Sequence, residues 1–179
     1  MLLLNDSDYP VTIYDRGKRI WICPFYYMVN RVYSEKEHSR KPRYKEVRIS
    51  EDWHSFSNFR KWMVLQAWEN KELDKDLLGD GTLYSKDTCC FLPSYMNKFM
   101  MTGGSNKLLP IGVRISSKNG KYESRINDPF ENKQRHLGYF DCPTKASLAY
   151  KIKKLEYATR YSRELEDNLA VALINRFNQ

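Results

Sequence analysis

Residues 111–128, IGVRISSKNGKYESRIND, alternate apolar and polar side chains on both sides of Lys118-Asn119-Gly120. Asn-Gly supplies the positive φ that a tight hairpin needs, and a period of two marks strands with one buried and one solvated face. KQRHLGYF, 133–140, extends the pattern to a third strand after the DPFEN loop. Thr144 then precedes KASLAYKIKKLEYATRYSREL, in which Ala146, Ala149, Tyr150, Ile152, Leu155 and Ala158 form an apolar stripe on a long helix. Thr144 is the expected N-cap. The segment is therefore expected to fold as a three-stranded antiparallel sheet backed by a helix.

Strand alternation assigns the two faces. Val113, Ile115, Ile126 and Leu137 are expected to pack on the helix, while Arg114, Ser116, Glu123, Arg125, Asn127, Gln134 and His136 share the opposite side. Arginine and amide side chains are the groups that read guanine and adenine edges in the major groove, and β-structure is one known way into that groove. An ordinary solvated sheet face has a similar pattern. Charge favours nucleic acid: residues 104–164 hold 13 Lys and Arg against 6 Asp and Glu, within a chain of 179 residues that carries a formal +8. Lys118, in the hairpin, and Lys151 and Lys153, on the helix, are candidate phosphate contacts. Arg114, Ser116, Arg125, Asn127, Gln134 and His136 are the candidate base readers.

No membrane partner is expected, because the apolar start MLLL is four residues long and is followed by Asn5, Asp6 and Asp8. A cytoplasmic protein is expected. Cys23, Cys89, Cys90 and Cys142 form no Cys-x-x-Cys pair and are expected to be reduced, partly buried thiols, with no zinc.

MTGGSNK, 101–107, separates an apolar segment ending near Met100 from the strand pattern and is the expected linker. The domain boundaries that follow are 1–100, a linker at 101–108, and 109–179. In the first half, Pro24 and the spacing of Phe25, Met28, Val29 and Val32 predict a helix. YKEVRI, 44–49, alternates like a short strand after Pro42. Phe56, Phe59, Met63 and Gln66 or Ala67 are spaced for a second helix, with Trp62 on the same side and Ser55 or Ser57 as cap. Trp53, Trp62 and Trp68 are most economically core residues rather than base-stacking platforms. Leu165, Leu169, Ala172 and Leu173 suggest a short amphipathic helix at the C-terminus, docked on the first domain or on a second copy.

Gly112-Val113-Arg114, Gly120-Lys121-Tyr122, Leu137-Gly138-Tyr139-Phe140 and KASLAYKIKK together resemble the plant ethylene-response-factor, or APETALA-type, DNA-binding domain over roughly 109–161. The resemblance implies groove-facing positions at Arg114, Ser116, Arg125, Asn127, Gln134 and His136. The chain departs from the family at Ser116 and Gln134, where the family has arginine, and at His136, where it has tryptophan, so the family's target site does not carry over. The first half is similar to phage-encoded HNH homing-endonuclease-like proteins in YKEVRISEDWHSFSNFRKWM, LDKDLLGDGTLYSKDTCCFLP and Asn97. That resemblance implies an α+β chain with an N-terminal divergent ββα-metal module.

Hydrolysis by such a module needs a carboxylate for Mg²⁺ or Mn²⁺, a base for water and a cation for the developing phosphorane charge. The resemblance places Asp74 at the metal-ligand position, Lys75 where the general base is expected, Thr88 where a metal-binding Asn stands, and Asn97 at the final Asn of the motif. Asp74, Lys75, Asp76 and Asn97 are thus the candidate catalytic residues, and Asp74, Thr88 and Asn97 the candidate metal ligands. An exposed lysine is protonated at neutral pH and accepts no proton. Lys75 is a phosphate clamp with the base elsewhere, for instance Asp76; or a desolvated base; or the mark of a site without chemistry. Asp74 and Asp76 also read simply as partners of neighbouring lysines on a solvated turn. His54 has a structural reading and a site reading. The leading expectation is a sequence-preferring duplex-DNA-binding protein with metal-dependent endonuclease or nickase activity; the alternative is a catalytically inactive DNA-binding phage regulator or host-defence inhibitor.

Overall fold

A computed structural model describes residues 6–101 and 108–178, with the backbone alone of Ile20 and Trp21. The apolar start at 1–4 and the expected linker residues 102–107 lie outside the described residues. Among the described residues the chain is α+β, with six α-helices, three two-stranded pairings and one three-stranded antiparallel sheet. It divides into two units, Met1–Asn97 and Lys98–Gln179. No helix among the described residues is long and apolar enough to cross a membrane.

The first unit opens with a hairpin that hydrophobic periodicity did not reveal. Strands β1 (Thr12–Asp15) and β2 (Lys18–Ile22) pair antiparallel around Arg16 and Gly17, both at positive φ, 47° and 77°. Helix α1 (Pro24–Tyr33) starts with Pro24 in its first turn and buries Phe25, Met28 and Val32. Ser34 closes α1 and caps α2 (Glu35–Arg40), a helix too polar to show an apolar stripe. The expected strand at 44–49 shortens to β3 (Arg48–Ile49), because Pro42–Tyr44 forms a 3₁₀ turn. Helix α3 (Phe56–Met63) is capped by Ser55, whose Oγ accepts the Asn58 amide, and it ends before Gln66 and Ala67. Trp53, Phe59, Trp62 and Phe91 interlock, with Trp62 stacked on Phe91 at a ring separation of 5.5 Å, so these aromatics are core. Strands β4 (Glu72–Asp74), β5 (Leu83–Tyr84) and β6 (Cys90–Leu92) follow; β5 runs parallel to β3 and β6 antiparallel to β4. Helix α4 (Ser94–Met100) spans the point where the two units divide.

In the second unit, β7 (Val113–Ile115), β8 (Tyr122–Asp128) and β9 (Lys133–Phe140) form the three-stranded sheet with β8 in the centre. Gly120 holds the hairpin at φ 67°. Helix α5 (Pro143–Ser162) packs on the sheet and α6 (Asp167–Phe177) packs on α5, burying Leu169 and Leu173.

Three expectations are corrected here. Thr144 is not the cap: Pro143 occupies the first helical position and Cys142 precedes it without a side-chain cap. Pro143, with its fixed φ, starts the helix two residues earlier than a Thr144 cap would. The buried stripe of α5 is rotated toward Ala146, Lys154, Tyr157, Ala158 and Tyr161, leaving Ile152 60% exposed. Ile115 is 60% exposed as well, because it ends β7, an edge strand, whereas Ile126 on the central strand is buried.

Lys154 tolerates burial because its ammonium donates to the Phe99 carbonyl at 2.6 Å and sits over the Phe99 ring at 3.7 Å. Burial lowers its pKa to about 8.

Gly112 shows how tightly α5 meets the sheet edge. Its φ is 77°, and an added Cβ would lie 2.0 Å from the Tyr150 ring. Gly112→Ala is expected to cost about 2–4 kcal/mol, combining left-handed strain with overpacking. Hydrogen exchange at the β8 and β9 amides would read this as lost protection.

Candidate nucleic-acid interface and the nuclease-like loop

Register decides which side chains share the polar face of the sheet. Arg114 pairs with Glu123 and Glu123 with Tyr139, so β7, β8 and β9 align there. A bulge between Ser124 and Arg125 then skips Leu137 and brings His136 opposite Arg125 and Gln134 opposite Asn127. Both Tyr139 and His136 consequently stand on the polar face although three residues apart, with rings 4.6 Å from each other. Period-two reasoning alone missed Tyr139; an irregular Gly138, at φ 135°, is the local signal of the bulge.

Glu123 is the centre of this face. It is 1% exposed, yet its Oε2 accepts Arg114 Nε at 2.7 Å, and its Oε1 accepts Arg125 Nε at 2.6 Å and faces His136 Nδ1 at 2.9 Å. Burial pushes the carboxyl up, but the hydrogen bonds from Arg114 and Arg125 outweigh it and bring it down to about 2. Arg125 also donates through Nη1 to Gln134 Oε1 at 2.8 Å. Arg114, Asn127, Gln134 and His136 remain exposed, and Arg125 half-exposed.

Ser116 does not join them. It is buried, and its Oγ accepts the Lys118 amide, holding the hairpin turn. Just past the end of β7 the alternation has ceased, so its parity no longer assigns a face. Lys118 itself lines a recess of about 150 Å³ with Arg114, Glu123, Arg125 and Tyr139. Lys153 is paired with Glu156 at 2.8 Å, while Lys151 is exposed on α5.

In the first unit Asp74, Lys75 and Asp76 lie where β4 runs into the following loop, and Asn97 lies on α4. Asp74 ends β4 and is 8% exposed; its Oδ1 accepts the amides of Asp76 at 3.0 Å and Leu77 at 2.8 Å. Burial pushes the Asp74 carboxyl above the usual carboxylate range, against the pull of those two amides. Lys75 is 7% exposed, with Nζ 2.6 Å from Asp76 Oδ1 and between the rings of Tyr44 and Tyr84. Gly81, at φ 82°, lets the Asp76 carboxylate approach: a Cβ there would meet Asp76 Oδ1 at 2.5 Å. Thr88 Oγ1 donates to the Leu83 carbonyl at 2.7 Å and accepts the Ser85 amide at 3.1 Å. Asn97 Nδ2 donates to Glu72 Oε2 at 2.9 Å; its Oδ1 is buried without a hydrogen-bond partner. His54 Nε2 lies 2.8 Å from the Tyr33 hydroxyl, a structural contact.

These donors do not fit a divalent ion held in the ββα manner. Thr88 and Asp74 Oδ1 are committed to backbone groups, and a lysine ammonium is buried in the same loop. Lys75 is buried, as the desolvated-base reading required, and its Nζ donates to Asp76 Oδ1. All four cysteines are free, and burial pushes the Cys23 thiol up to about 11 and the Cys89 thiol to about 12. A cavity of about 400 Å³ in this unit is lined by Tyr27, Arg31, Trp68, Lys71 and Glu72 rather than by the candidate catalytic set.

No protein-family model matches the chain, and no curated protein or solved structure matches it significantly.

Two outcomes follow. Asp74→Asn keeps an acceptor for the two amides and removes a buried charge, so stability at pH 7 is expected to hold or rise; Asp74→Ala orphans both amides and is expected to cost about 1–3 kcal/mol. Denaturant titration of both variants checks this. For Glu123, the folded pKa is depressed from 4.5 to about 2, so its stabilisation is complete above 4.5 and lost as pH falls toward 2. The melting temperature of the wild type is expected to drop over that window, and that of Glu123→Gln to drop less.

Proposed function

We propose that this protein binds duplex DNA with sequence preference through the polar face of β7, β8 and β9, and that the first unit is a nuclease-like scaffold without metal-dependent hydrolysis. The observation that carries the reading is the convergence of Arg114, Arg125, Gln134 and His136 on one exposed sheet face around a buried carboxylate. A sheet of this width enters a major groove, where such side chains meet base edges. Lys118 and Lys151 supply phosphate contacts, which strengthen binding to any sequence. The motifs shared with APETALA-type domains support the same face, and those shared with HNH-type phage proteins support a phage regulator or host-defence inhibitor as the biological setting.

The scaffold reading is supported by the inward hydrogen bonds of Asp74 and Thr88 and by the pairing of buried Lys75 with Asp76. The endonuclease reading keeps one observation, the unpartnered Asn97 Oδ1 on the helix that follows β6.

Selection from a random duplex library, followed by binding at two salt concentrations and incubation with Mg²⁺ or Mn²⁺, separates the two. A preferred site with no strand scission supports the proposal. Scission that Asp74→Ala abolishes establishes the endonuclease instead, and tighter binding to RNA than to duplex DNA at equal salt overturns both. Arg114→Ala is expected to weaken the preferred site by about 1–3 kcal/mol and relax one base position. Lys118→Ala should weaken all sequences alike, with a shallower salt slope.

A further inference from the structure

We propose that Glu123 is a positioning residue for base readout: it fixes the guanidinium groups of Arg114 and Arg125, so that it provides sequence preference while opposing overall affinity for DNA. This rests on the DNA-binding reading above.

A carboxylate in the middle of a nucleic-acid-facing surface is at first sight a liability, since it repels phosphate. Glu123 is nevertheless 1% exposed beneath the groups it holds, so its charge is spent on neighbours rather than presented to a ligand. The groups around it come from all three strands: Arg114 from β7 and Arg125 from β8 donate to it, and His136 from β9 faces it. Pairing from the β8–β9 turn runs unbroken to Arg125 and His136, and the bulge beyond that pair sets Tyr139, not Gly138, opposite Glu123.

The atoms engaged determine what is left to read DNA. Arg114 gives Nε to Glu123, which leaves its two Nη groups as a fork of fixed orientation. Such a fork matches the O6 and N7 acceptors of guanine. Arg125 gives Nε to Glu123 and Nη1 to Gln134, leaving Nη2. Gln134 has its carbonyl oxygen occupied by Arg125 and retains its amide hydrogens, so it lacks the donor–acceptor pair that reads adenine. The face is thus biased toward donors, and the rotamer freedom that an unsupported arginine would lose on binding is already reduced in the free protein.

Glu123→Gln in the 179-residue chain separates this role from a merely structural one. The preferred duplex from library selection is compared with the same duplex carrying A·T in place of the G·C pair read by Arg114, at low and moderate salt. For the variant, discrimination between the two duplexes is expected to fall by about fivefold or more, within the worth of one bidentate base contact. Affinity for unrelated duplex is expected to stay level or rise, because a negative charge has left the face. Arginine Nε–Hε resonances give a readout without DNA: in the wild type, those of Arg114 and Arg125 should exchange slowly with solvent and lose that protection in the variant. Full discrimination in Glu123→Gln, or fast Nε–Hε exchange in the wild type, overturns the positioning role alone. A wild type that binds all duplexes equally overturns the DNA reading and this inference with it, while slow Nε–Hε exchange would then mark Glu123 as a structural tie.

Discussion

A carboxylate removed from water must be answered by hydrogen-bond donors, and the central strand of the second unit carries two of them. Glu123 is answered by Arg114 and Arg125 and faces His136; Asp128 is answered by the amides of Phe130 and Glu131 and by Arg135 Nε at 2.5 Å. Loss of any one partner leaves a buried charge undersatisfied, which is costly in a way that loss of an exposed ion pair is not. The carboxylates therefore specify more than they stabilise. Glu123 fixes how β7 and β9 meet β8 on the polar face. Asp128 fixes the β8–β9 connection, where Asn132 takes φ 51°. Behind the sheet, Phe130 packs on Tyr161 at 4.6 Å and under the guanidinium of Arg160 at 3.7 Å, so the same connection is clamped to α5.

The first unit solves the opposite problem, a buried cation. The Lys75 ammonium lies near two tyrosine rings and is neutralised by the Asp76 carboxylate drawn in against Gly81. Thr88 packs where a Cβ on Gly79 would approach it to 3.1 Å, and its hydroxyl ties Leu83 to Ser85. A loop whose polar atoms are paired with one another has few left for a hydrated metal and an attacking water. Leu73, at the start of this loop, and Tyr84 and Cys89 beyond it belong to the same core cluster as Phe25, Trp53 and Phe91.

Much of this architecture was legible in the residues, and the failures share a cause. Hairpin β7–β8, strand β9 and helices α1, α3, α5 and α6 follow from periodicity and from Pro24, Ser55 and Gly120, which act locally. The bulge beside Ser124, by contrast, belongs to the pairing of β8 with β9, and Gly138 is the one local sign of it. It moved Tyr139 onto the polar face, while Ser116, beyond the last residue of β7, turned inward. Strand β3 pairs in parallel with β5, more than thirty residues away in sequence, so two residues suffice where local preference offers little. Hairpin β1–β2 was missed because Arg16 takes the left-handed conformation that Asn more often marks. Lys154 escaped the stripe on α5 because a lysine is buried only where a carbonyl and aromatic faces await it.

Formal charge overstates how many cations the second unit leaves without an acidic neighbour. Lys121 is paired with Asp141, Lys133 with Glu131, Arg135 with Asp128 and Glu131, and Lys153 with Glu156. Arg114 and Arg125 share one buried carboxylate. Counterion release depends on the cations that meet phosphates, and a cation already holding an acid contributes less of it. On the DNA-binding reading, the sheet's positive charge is therefore spent first on geometry. Base-edge contacts then carry a larger share of recognition than a formal +8 suggests.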